Sequence, residues 1–309
     1  MPTKISIYLF IVLLKAFQAS SATDTLYSFR FRDDVTITID RPVSQLKKHT
    51  QLILFALPNG NTTAQTMGKK MEPGDDWHFY IQHIKAQTAF LRETLKDNII
   101  VVYLENDKKS WPTWKRSHTD YPKQITAILD TIVQLVPLNK YSLHLNGHSG
   151  GGSFIFGYLD AVKEIPDRVK RITFIDSNYG YDSTYTDKIR NWLKDNRKNH
   201  LTVFAYNDSV ALYNDKPIVS ATGGTWYRSK LMMKDLNDLN FTVKDDSIMH
   251  FQSRSKRVNV YLKKNPDRKI YHTQQVELNG FIHSVLIGTT AESRRYQYYG
   301  KRAYNHLIR

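Results

Sequence analysis

Residues 144–156 read HLNGHSGGGSFIF, and Ser149 at the centre is the side chain with most chemistry to offer. Gly147 and Gly151 flank it in the spacing G-x-S-x-G, with an apolar run before and an amphipathic run behind. A strand that bends sharply into a helix needs glycine two positions to either side of the bend, where a Cβ would crowd the returning chain. The residue at the apex is then forced into a strained backbone, and its hydroxyl stands clear of the sheet. The helix behind it offers free N–H groups and a positive dipole end for a developing negative charge. The chemistry implied is acyl transfer through a nucleophilic serine. A plain glycine-rich turn competes with this reading; a nucleotide loop does so less well, because no Walker lysine follows.

Such a bend requires a strand and a helix in succession, and the chain supplies that pattern repeatedly. Apolar strand-like runs occur at 51–58, 98–105, 141–147, 172–176, 201–207 and 271–278. Helical patterns lie between them at 77–95, 121–136, 152–165, 186–196 and 225–236. This alternation predicts an α/β fold, a mostly parallel central sheet with helices on both faces. Ahead of it, LYSFRF and VTITIDRP alternate apolar and polar residues around Asp33 and Asp34, which predicts an antiparallel hairpin. Residues 240–265 fit less well and read as added strands or a charged excursion before the last sheet strand, with an insertion expected near the mouth of the site. No repeat or low-complexity linker divides residues 23–309, which read as a single domain.

With its elbow between strand and helix, the sequence resembles the α/β-hydrolase superfamily over residues 25–300. The blocks LPNGN, GHSGGGS, DSNYG, GGTWYRS and NGFIHS are similar to those of uncharacterised exported bacterial members. The resemblance implies the order serine, acid, histidine, with the histidine after the final strand. His200, His250, His272, His283 and His306 follow Ser149, and His283 in NGFIHS comes directly after the strand expected at 271–278. His283 is therefore the expected base. His148, beside the serine on a sharp bend, is expected to pack beneath the elbow. The acid is Asp176, which ends an apolar strand, or Asp208, one strand later at the superfamily's more usual place. The oxyanion hole is expected to draw on the N–H of Gly150 and on Gly60 or Asn61 in the loop after the first parallel strand.

The loops at the carboxyl ends of the strands carry Glu105, Trp111, Trp114, Tyr179 and Trp226, a mixture that suits a sugar or peptide surface. Packing of the tryptophans against the body is the alternative. Asp75, Asp76 and His78 cluster in GDDWHF, but two acids ahead of an apolar helix read first as an N-cap, and no metal or other cofactor is expected. The first residues, with Lys4 before the apolar run Ile5–Leu14 and small residues up to Ala22, have the grammar of a signal peptide. That run is too short to span a bilayer, so export to the periplasm or medium is expected without stable membrane insertion. There is no cysteine, so an exported chain would be held by its core alone.

Lys and Arg outnumber Asp and Glu by 44 − 29, giving +15, which favours anionic partners. The basic residues are dispersed, and no zinc-finger spacing or RNP-like stretch points to nucleic acid. Three functions stay open: an esterase acting on a small molecule or glycan, a peptidase or amidase with the same triad, and a non-catalytic binder of anionic polymer.

Overall fold

The computed structural model describes residues 25–43, 49–136 and 140–309. The segment read as an export signal lies outside them. The chain opens with a hairpin of β1 (Thr25–Phe31) and β2 (Val35–Arg41), paired antiparallel. There follow β3 (Thr50–Ala56), α1 (Thr63–Met67), α2 (Ile84–Thr94), β4 (Asn98–Asn106), α3 (Trp111–Ser117) and α4 (Tyr121–Leu135). The central part contains β5 (Tyr141–His148), α5 (Gly152–Ala161), β6 (Val169–Ile175), α6 (Thr186–Asp195) and β7 (His200–Tyr206). A small hairpin, β8 (Leu212–Tyr213) and β9 (Lys216–Pro217), precedes α7 (Thr225–Asp235). Strands β10 (Phe241–Asp245), β11 (Ile248–Ser253) and β12 (Val258–Lys263) and helices α8 (Gln274–Glu277) and α9 (Gly280–Leu286) complete the described fold.

The main sheet has ten strands in the order β1-β2-β4-β3-β5-β6-β7-β12-β11-β10. Its centre, from β4 to β12, is parallel, and both flanks are antiparallel. Central strands such as β3, TQLILFA, are almost wholly buried because helices cover both faces. On one face, Trp111, Ile128, Phe154, Trp192 and Met232 from α3 to α7 form the larger core. On the other, Phe90 of α2, Phe281 and Leu286 of α9, and Tyr304 near the carboxyl terminus form the second.

Strand β3 has β4 on one side and β5 on the other, so the strand order reverses there. A crevice opens outside the carboxyl ends of strands at such a reversal, where ligands of open α/β sheets bind. The loop after β3 and the turn after β5, which carries Ser149, meet at this place.

Two expectations are corrected. Residues 240–265 do not precede the last strand: they hold the last three strands of the sheet, with β12 pairing parallel to β7 from Val258 opposite Leu201. Residues 271–278 are not the final strand; they hold a turn and the four residues of α8. The apolar pattern of VNVYLK is short and follows the basic RSKR, which disguised a buried strand as a charged excursion. Asp76, in contrast, does cap a helical turn, accepting from the His78 N–H at 2.9 Å. No helix of the described residues is long and apolar enough to cross a membrane.

Leu262 in β12 is 0% exposed and Val243 in β10 is 54% exposed. Leu262→Ala should therefore lower the unfolding free energy in urea by about 2–5 kcal/mol. Val243→Ala should change it by less than about 0.5 kcal/mol. Equal, small effects would contradict an integral β12.

Candidate active site

Ser149 sits at φ +55°, in the left-handed region that a residue with a side chain adopts only under constraint. The constraint is visible in its neighbours. A Cβ on Gly151 would lie 2.1 Å from the carbonyl oxygen of Ala56, so only glycine lets α5 begin hard against β3. A Cβ on Gly147 would lie 2.9 Å from the Gly151 carbonyl carbon across the bend. From the next strand, the Ser177 hydroxyl donates to the Gly147 carbonyl at 2.9 Å and ties the elbow to β6.

His272 lines the same cleft as Ser149. Its Nδ1–H donates to Oδ2 of Asp176, a carboxylate with 0% exposure at the end of β6. In the neutral ring that bond fixes the tautomer with Nε2 as the acceptor, the arrangement a general base requires. His148 stacks on the His272 ring at 4.6 Å between centroids, and its Nε2 faces the His272 carbonyl at 3.3 Å. Burial, and then the proximity of His272, push the His148 imidazole well below its usual range, so it packs as a neutral ring.

Asp176 is itself at φ +45°, and its other oxygen accepts from the Thr225 hydroxyl. Asp208 approaches the same threonine. Its Oδ2 accepts from the Thr225 N–H at 2.7 Å and lies 3.2 Å from the hydroxyl, while its Oδ1 accepts from the Trp226 N–H at 3.3 Å. Asp208 therefore caps the start of α7, where a negative charge is favoured. Burial, reinforced by the charge of Asp176, nevertheless raises its pKa to about 6. Of the two acids considered from sequence, Asp176 holds a histidine in the cleft and Asp208 holds the helix that holds Asp176.

The cleft encloses about 730 Å³ and is lined by Asn59, Ser149, Gly150, Tyr179, Tyr206 and Lys216 among others. Gly150 stands where expected. Gly60 and Asn61 do not line the cleft: the Gly60 N–H donates to the Lys109 carbonyl at 2.8 Å, and the Asn61 N–H faces the Pro58 carbonyl at 3.5 Å. Asn59 is the residue of this loop that lines the cleft, its side chain so close to Gly150 that a Cβ there would fall 1.9 Å from Oδ1. Among the described residues its backbone N–H has no acceptor.

Of the residues expected to touch substrate, Tyr179 lines the cleft. Trp226 lines a neighbouring depression instead, with Lys230 over its ring at 4.5 Å. Glu105 accepts from the N–H and hydroxyl of Thr63 at 2.6 and 2.7 Å and so caps α1. Trp111 and Trp114 are core residues, donating to the Leu104 carbonyl and to Asp34.

His283, the expected base, is elsewhere. It is 3% exposed, and its ring nitrogens face the hydroxyls of Tyr296 at 2.8 Å and Tyr261 at 2.9 Å. The histidine that comes next after β12, the last strand in chain order, is His272. Burial, ahead of the charges of His250 and Arg171, lowers the His283 pKa to about 3. Its contribution to stability is thus complete above the unfolded value near 6.5 and lost as pH falls towards 3. The stability lost in His283→Gln should accordingly shrink between pH 7 and pH 4, by at most about 1.4 kcal/mol per pH unit. A pH-independent difference in urea unfolding would contradict a buried neutral imidazole.

No family model and no curated protein matches the sequence. Solved structures match its architecture. A structure described as FAE aligns with a TM-score of 0.51 at 10% identity, covering 90% of this chain and 92% of that one. The feruloyl esterase module from Clostridium thermocellum complexed with sinapinate aligns at 0.45 and 11% identity, covering 89% and 90%. A CIB-like hydrolase from Thermoplasma acidophilum aligns at 0.42 and 9%, covering 86% and 96%. Identities this low speak to architecture alone. Together with the parallel sheet, the helices on both faces and the elbow after β5, the first of these alignments shows that this chain has the α/β-hydrolase fold.

Proposed function

We propose that the chain is a serine hydrolase that cleaves a carboxylic ester of a polar substrate, such as a substituted sugar, through a covalent acyl-enzyme. One observation carries this: a serine on a strained elbow shares a cleft with a histidine whose far nitrogen is held by a buried carboxylate. In this reading Ser149 Oγ attacks the ester carbonyl as His272 Nε2 takes its proton. Asp176 stabilises the imidazolium that forms. The N–H groups of Gly150 and Asn59 receive the oxyanion, each contributing about 3 kcal/mol to the transition state. The imidazolium then returns its proton to the departing alcohol, and a water activated by the same base releases the acid. The tyrosines of the cleft would face a sugar ring or an aromatic ring. Export belongs to the same proposal and rests on residues 1–22.

A fluorophosphonate probe should label Ser149 in the folded protein, and labelling should be lost in Ser149→Ala and in His272→Ala but kept in His283→Gln. No labelling of folded protein would favour the non-catalytic binder. 4-Nitrophenyl esters against aminoacyl anilides separate esterase from amidase, and anilide-only turnover would overturn the ester reading. Asp176→Asn should reduce kcat by roughly 10⁴ and Asp208→Asn by less than about tenfold. A larger loss in Asp208→Asn would reverse the two roles.

A further inference from the structure

The wall of the Ser149 cleft is rich in donors. Lys216 lines it from β9, beside Tyr179, Tyr206 and Tyr213, and no carboxylate lines it. Among the described residues Lys216 has no carboxylate at ion-pair distance, and the hydroxyls of Tyr179 and Tyr206 have no hydrogen-bond partner. Tyr206 is only 1% exposed, so its hydroxyl opens onto the cleft and not onto bulk solvent. Both hydroxyls are open to the cleft, where an acceptor on a ligand can take their bonds in place of water. Burial, and then the charges of Asp176 and Asp208, push both phenols well above their usual range, so they stay protonated donors.

Lys216 is also held in place. Its hairpin turns through Asn214 and Asp215 at φ 48° and 59°, and is tied to the body by the Ile218 N–H on the Ala211 carbonyl at 3.3 Å and the Leu212 N–H on the Arg268 carbonyl at 3.1 Å. Across the hairpin, a second depression of about 810 Å³ shares Pro217 with the cleft, and Lys264 and Arg268 line it, again without a carboxylate. Lys264 is engaged by Asp245 at 2.8 Å. The sign of the local charge agrees with the +15 of the whole chain, which steers anions inward.

We infer that the ester is itself anionic, carrying beside its scissile bond a carboxylate that Lys216 and the hydroxyls of Tyr179 and Tyr206 receive. Lys216 is exposed, so a neutral sugar hydroxyl would satisfy the phenols but gain nothing from the ammonium's charge; a carboxylate engages both, with charge-assisted bonds. The inference rests on the serine-hydrolase proposal and narrows its substrate class.

Two matched ester pairs test it, one for each side of the bond. 4-Nitrophenyl hydrogen adipate against 4-nitrophenyl hexanoate places the carboxylate on the acyl side. 4-(Acetoxymethyl)benzoate against 4-methylbenzyl acetate places it on the alcohol side. In at least one pair the anionic member should have about tenfold higher kcat/KM, the size of one charge-assisted hydrogen bond. The preference should fall to near unity in Lys216→Met, reverse in Lys216→Glu and weaken with added salt. Turnover of the neutral esters with no anionic preference in either pair, or a preference unchanged by Lys216→Met, overturns this inference alone. No turnover of any of the four esters overturns the ester-hydrolase proposal and takes this inference with it.

Discussion

The left-handed backbone of Ser149 is the constraint on which the candidate site depends. A residue with a side chain occupies φ +55° only when its surroundings leave it no other course. Here the surroundings are three packed strands. Helix α5 must start within contact of the Ala56 carbonyl of β3, and Ser177, just past β6, holds the Gly147 carbonyl from the other side. The glycines remove the atoms that would prevent this approach. The strain at the apex is therefore supported by the core beneath it, and the hydroxyl stands at the reversal point of the sheet, where the loop after β3 brings Asn59 against Gly150.

Beside the elbow, two carboxylates are buried around one threonine. Like charges in a poorly solvated space repel, and each needs a separate source of stabilisation. Asp176 has the Nδ1–H of His272 and the hydroxyl of Thr225. Asp208 has the first N–H groups of α7 and the positive end of that helix. The rise of its pKa to about 6 shows that these bonds offset burial and repulsion only in part. Through Thr225, the position of α7 is thereby coupled to the orientation of Asp176.

The sheet was legible because burial on both faces demands continuous apolar runs, and QLILFALP, NIIVVYLE and LTVFAYN are such runs. The elbow was legible because glycine spacing reports a steric requirement directly. The base was not. β12 is six residues long, begins after a basic cluster and alternates Asn259 with valines, so it carried too little apolar signal to be recognised. Misplacing the final strand moved the expected histidine from 272 to 283. The block NGFIHS instead serves the interior: Asn279 binds the carbonyls of Gln297 and Lys301, Ser284 accepts from Asn146, and His283 joins two tyrosines. The tryptophans misled for a related reason. Trp111 and Trp114 stand beside a strand end, as a binding residue would, but their indole N–H groups find acceptors within the core. In the block LPNGN the N–H of Gly60 goes to the Lys109 carbonyl, and it is the neighbouring Asn59 that lies against Gly150.

The central claim is that His272, and not His283, is the imidazole oriented by a buried carboxylate. Proton NMR of protein carrying ¹⁵N-labelled histidine addresses it directly, since a ring N–H shared with a buried carboxylate resonates far downfield and exchanges slowly. The account predicts one such resonance that disappears in His272→Gln and in Asp176→Asn and persists in Asp208→Asn. A resonance that survives Asp176→Asn, or that disappears in His283→Gln, would contradict it.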